Sequence, residues 1–85
     1  AKGEHVAAAF MQRSKLRQEY AYYRALCASA EFDASPGEAA YKEALDQWYQ
    51  LKRALRTQPQ HRYNRKAAAE IQRIGRKYRT TQPEE

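Results

Sequence analysis

Between Tyr41 and Leu55 the apolar residues recur as Tyr41, Ala44, Leu45, Trp48, Leu51 and Leu55, the three-and-four spacing that puts them on one side of a 3.6-residue helix. A strand would need alternation, and none is present. Immediately upstream, Ser35-Pro36-Gly37-Glu38 has the form of a capping box, with a serine oxygen for an early backbone N–H, a glutamate to reach back, and proline at the first helical position. A helix over about 36–57 is therefore expected, with Trp48 and its neighbours in the core. The residue before Pro59 is pushed out of the α region, which ends the helix near Thr57-Gln58-Pro59.

Few Val, Ile and Thr, many Ala, three glycines and three prolines disfavour sheet and favour helix elsewhere too. Leu16, Tyr20, Tyr23, Cys27 and Ala30 are spaced by four and three. They predict a first helix over about 4–30 whose stripe packs on the second as an antiparallel hairpin. On this reading Cys27 is a buried thiol, Tyr22 points away from the stripe, to the surface, to a contact with the third helix or to a partner, and Phe32 belongs to the connection, where it staples the loop.

A second Thr-Gln-Pro triplet, Thr81-Gln82-Pro83, closes a third segment. Within it Tyr63, Ala67, Ile71, Ile74 and Tyr78 predict a helix over about 61–79 with a narrow apolar stripe. The expectation is an all-α fold, a single small domain over 1–85 with frayed termini at 1–3 and 80–85, in which a helical hairpin carries a third, basic, amphipathic helix.

Charge is the most informative property for function. The chain carries +6 overall, yet Lys52, Arg53, Arg56, Arg62, Arg65, Lys66, Arg73, Arg76, Lys77 and Arg79 face Glu70 alone between positions 52 and 79. The rest of the chain is net acidic. A solvated helix face normally mixes signs to gain i,i+4 pairs; a one-sign face points to a polyanionic partner, nucleic acid first. These ten residues are the expected nucleic-acid contacts, with Asn64 and Gln72 as candidate adenine readers.

A second expectation is a protein-interaction module that exposes Val6, Phe10, Tyr22 and Tyr49 to a partner while the basic face docks an acidic protein surface, since aromatic residues and Arg are common interface anchors. Self-association into a homodimer through an aromatic face is compatible with either. Ile71-Gln72 followed by Arg76 resembles the opening of the IQ motif gripped by calmodulin-like proteins. It departs from that pattern at Lys77, where the motif has glycine, and at Thr81, where it has a second basic residue.

Enzymatic chemistry has no foothold in the residues. His5 and His61 fall in different segments with no Cys or His at ligand spacing, so no metal or cofactor is expected. The pairs Glu43/Asp46 and Glu31/Asp33 read as solvated surface, and no phosphate-cradling loop is present. A lone cysteine without a signal-peptide pattern suggests a cytoplasmic, nucleoid or nuclear protein rather than a secreted one. No apolar run has the eighteen or so residues that would mark a membrane span.

Overall fold

Three α-helices follow one another along the chain, α1 (Lys2–Ala34), α2 (Glu38–Ala54) and α3 (Arg62–Thr81). In this computed structural model the backbone is described for residues 2–81 and the side chains for residues 15–81, and no strand occurs among them. Val6 and Phe10 therefore have side chains outside the described residues. The architecture is all-α, as the residue pattern implies, with α1 and α2 sharing the largest contact, α3 packed chiefly on α2, and a shorter contact between α1 and α3.

α2 is built as its spacing dictates. Ala44, Trp48, Leu51 and Leu55 are fully buried, and Tyr41 and Leu45 pack at the edge of the same cluster. α3 contributes Tyr63, Ala67 and Ile74 to the core, with Ile71 and Tyr78 at its margin. Full burial of residues such as Phe32, Leu51, Leu55 and Ile74 stabilises the fold by about 1.5–3 kcal/mol each.

α1 turns the other way. Among its described residues those buried are Ala25, Ala28, Ser29 and Phe32, while Leu16, Tyr20 and Tyr23 are 57%, 66% and 64% exposed and Cys27 and Ala30 also face solvent. The expected stripe is the outer face of the helix, and Cys27 is not a buried thiol. Small residues win the inner face because Trp48 fills the space opposite them. Its indole Nε1 donates a 2.6 Å hydrogen bond to Ser29 Oγ inside the core. Tyr22, turned away from the expected stripe, makes the contact with the third helix: it is half-buried, stacked on Tyr63 with ring centroids 4.1 Å apart and edge-on to Trp48 at 6.0 Å.

Phe32 lies inside α1 rather than in the connection, with no exposed surface. Its ring meets Tyr41 at 5.8 Å and Tyr78 at 6.5 Å, and this burial carries α1 one turn beyond its expected end. The turn closes with Ser35 N–H donating to Glu31 O at 3.0 Å. Pro36 then stops α1 instead of starting α2. The N-cap of α2 is Gly37, in extended backbone with no side-chain cap hydrogen bond, so the capping box does not form.

α2 ends at Ala54, three residues short of its expected limit. Leu55 N–H reaches back to Leu51 O and Lys52 O, and Gln58 N–H donates to Leu55 O at 2.8 Å. Asn64 pins this turn: its buried Nδ2 donates to Leu55 O at 3.3 Å and to Gln58 O at 3.4 Å. That amide holds the α2–α3 connection and is not free to read a base. Across the turn His61 Nδ1 accepts from Tyr63 N–H at 3.1 Å, which satisfies one of the open donors at the start of α3.

Candidate nucleic-acid interface

The basic residues of α3 separate into two groups by position around the helix. On the flank turned toward α1, Arg73 spans Asp33 with two hydrogen bonds of 2.9 and 3.1 Å and also donates to Glu70 at 2.7 and 3.0 Å. Lys77 reaches Asp33 at 3.1 Å, and Lys66 pairs with Glu70 at 3.2 Å. Three of the ten expected contacts are thus engaged with the protein's own carboxylates. Asp33 does not behave as a solvated surface acid, because α1 brings it to a helix more than thirty positions away in the chain.

The electrostatics of this cluster follow from its geometry. The Arg73 guanidinium, with Lys77 beside it, holds the Asp33 carboxyl below its ordinary value. Burial pushes Glu70 upward, but hydrogen bonds from Arg73 and Lys66 outweigh it and leave the carboxyl below its ordinary value as well. Arg73 in turn is raised, by Asp33 first and Glu70 second. Both carboxylates stay ionised at neutral pH, and the cluster has little net charge left to offer a partner.

The second group, Arg76 and Arg79, lines the groove between α2 and α3, while Arg62 lies beside Tyr22 and Tyr23 of α1. This groove encloses about 460 Å³ and is lined by Tyr41, Leu45, Tyr49, Ile71, Gln72, Gly75, Arg76 and Arg79. On α2, Leu45, Tyr49 and Lys52 succeed one another at spacings of four and three, so one stripe carries the groove wall to a cation, and Arg56 follows in the turn beyond Ala54. Arg65 shares a stripe with Gln72, Arg76 and Arg79 on α3. No carboxylate lines the groove, and no Asp or Glu occurs from Gln47 to Ala69.

The ends of the two helices add to the positive potential. Lys52 and Arg53 occupy the last turn of α2, where the negative end of the helix dipole accommodates them. At the start of α3 the situation is reversed. Its first turn has no acidic residue and carries Arg62, Arg65 and Lys66 at the positive end of the dipole, an arrangement that an anion relieves. Arg65 donates to Gln60 at 3.0 Å, and Arg62 lies over the Tyr63 ring at 5.0 Å; neither has a carboxylate partner among the described residues.

Of the aromatic residues expected to meet a partner, Tyr49 is 47% exposed on the wall of this groove, whereas Tyr22 is committed to its stack with Tyr63. Ile71, the first residue of the IQ-like segment, packs against the core. Among the described residues no cluster of three metal-ligating side chains occurs and no helix is long and apolar enough to cross a membrane. Compared with protein-family models, curated proteins and solved structures, the chain matches none.

Proposed function

We propose that this protein binds nucleic acid across the α2–α3 groove. Lys52, Arg56, Arg65, Arg76 and Arg79 contact phosphates, Arg53 and Arg62 extend the footprint around the Pro59 turn, and Tyr49 offers its ring to a base. The observation that carries the reading is a groove with arginines on its wall, an exposed tyrosine among them, and no carboxylate in its lining. Each phosphate neutralised by such a residue releases counterions, which supplies affinity without sequence readout. Stacking on an exposed aromatic side chain adds about 1–3 kcal/mol per base and suits unpaired bases best. Arg73 and Lys77 serve mainly to fasten α3 to α1, and Lys66 is held by Glu70 within α3.

A binding panel of duplex DNA, single strands and structured RNA tests this. The reversal Lys52→Glu/Arg56→Glu/Arg65→Glu should abolish binding while helicity is kept, because all three side chains are outside the core. Unchanged affinity in that variant would end the proposal. The second reading, docking of the same groove onto an acidic protein surface, draws on the same arginines and on Tyr49, and is favoured if no nucleic acid in the panel binds.

A further inference from the structure

α1 has two apolar faces, and the fold covers only one. With Leu16 at zero on a helical wheel, Leu16, Tyr20, Tyr23, Cys27 and Ala30 lie within about 80° of one another, centred opposite the buried face of Ala25, Ala28, Ser29 and Phe32. The outer stripe repeats at four, three, four and three residues, the a/d spacing of a two-helix seam. A helix that is apolar on both sides belongs between two layers, and only one layer is supplied by α2 and α3.

We propose that a second copy of this chain covers the outer face, pairing α1 with α1 in parallel. Parallel pairing sets every layer against itself, Tyr20 on Tyr20 and Tyr23 on Tyr23. The charges flanking the seam select this alignment. Glu19 of each copy then faces Arg24 of the other, five positions on, the spacing at which flanking residues pair across parallel helices. The antiparallel alignments that keep Tyr20 in the seam fail that test: opposing it with Leu16 brings Arg17 against itself, opposing it with Tyr23 brings Arg24 against Arg17, and opposing it with Ala30 brings Arg24 against itself, while opposing Cys27 with Ala30 pairs Arg24 with Glu31 but leaves Tyr20 beyond the end of the other helix.

Beside the seam, α1 and α2 form a groove of about 320 Å³ lined by Tyr20, Tyr23, Arg24, Cys27 and, from α2, Glu43 and Gln47. The groove lies on the Arg24 flank of the seam, the flank that the other copy meets with Glu19, and its carboxylates Glu31 and Glu43 repel a nucleic acid. The inference stands apart from the nucleic-acid reading, since the two surfaces share no residue.

Sedimentation across a wide range of concentration, joined to thiol oxidation at Cys27, tests the inference directly. In the parallel dimer the two Cys27 thiols meet, and diamide, which accepts the two protons and two electrons released, should link them rapidly into a covalent dimer that Cys27→Ser cannot form. In an antiparallel dimer with Tyr20 opposite Tyr23 they would lie about 16 Å apart along the axis. Tyr20→Glu/Tyr23→Glu should weaken the dimer more than about thirtyfold and leave the circular dichroism unchanged, because both side chains are about two-thirds exposed. A monomer at every concentration overturns the proposal, as does a dimer that diamide fails to link or that the tyrosine substitutions leave intact.

Discussion

Arg73 of α3 holds Asp33 of α1 with both arms of its guanidinium, at 2.9 and 3.1 Å, while the same side chain keeps Glu70 at 2.7 Å. This one contact ties the last turns of α1 to α3 and removes a cation from the binding surface. Asp33→Asn should therefore have opposite effects on two measurements. Urea unfolding should show a loss of no more than about 1 kcal/mol, since the pair is solvent-facing. Nucleic-acid affinity at low salt should rise roughly threefold or more as Arg73 and Lys77 become available.

Acid should loosen the same junction. Asp33 and Glu70 have ordinary values of 3.8 and 4.5, and the folded protein lowers both. A depressed carboxylate contributes stability that is fully present above its unfolded value and is lost as pH falls through its folded value. Urea midpoints should thus be steady near neutrality and decline below about pH 4.5. The double variant Asp33→Asn/Glu70→Gln should start lower and decline less over the same range.

Trp48 and Ser29 make the second long-range polar contact that matters, and this one is buried. Ser29→Ala leaves the indole N–H in the core without its acceptor, at a cost of about 1–3 kcal/mol. Ala34→Ser, at the exposed last position of α1, should be near neutral. Thermal melts of the two variants distinguish a specific buried bond from a general effect of altering α1.

Gly37 is an unused position. It caps α2 with no side-chain hydrogen bond, and a Cβ added there meets nothing within 4 Å. Gly37→Ser should supply the oxygen that Ser35 does not, raising stability by a few tenths to about 1 kcal/mol. A thermal melt would show it. No change would mean that the hydroxyl turns to water.

α2 and α3 were legible in the residue spacing because each has one apolar face and the rest of its surface is polar. α1 was not, since spacing alone cannot rank two opposed apolar faces, and the bulkier one is outside. What decides the matter is Trp48, whose ring needs Ala25, Ala28 and Ser29 across from it. That complementarity is a property of the packed pair and not of either segment. Phe32 is hidden from the residue pattern for a related reason: its neighbours are small or acidic, and Tyr41 and Tyr78, from the other two helices, make it a core residue. The local chemistry around Ser35 suggested a cap, but Pro36 is used to end α1.

The basic surface shows the same division. That the C-terminal half is strongly cationic can be read directly from its residues. Which cations remain without a carboxylate depends on Asp33 arriving from α1, and on the stripes of α2 and α3 that bring Tyr49, Arg76 and Arg79 to one groove. The residue pattern identified the charged half, and the packing separates its binding edge from its fastening edge.

The salt dependence of nucleic-acid binding tests the central claim most directly. If Lys52, Arg56, Arg65, Arg76 and Arg79 each neutralise a phosphate, the logarithm of the binding constant should fall against the logarithm of salt concentration with a slope of about −4.5 for duplex DNA and about −3.5 for single strands. Removing two of the five should reduce the slope in proportion. A slope near zero, or one that Arg56→Gln/Arg76→Gln leaves unchanged, would contradict the account.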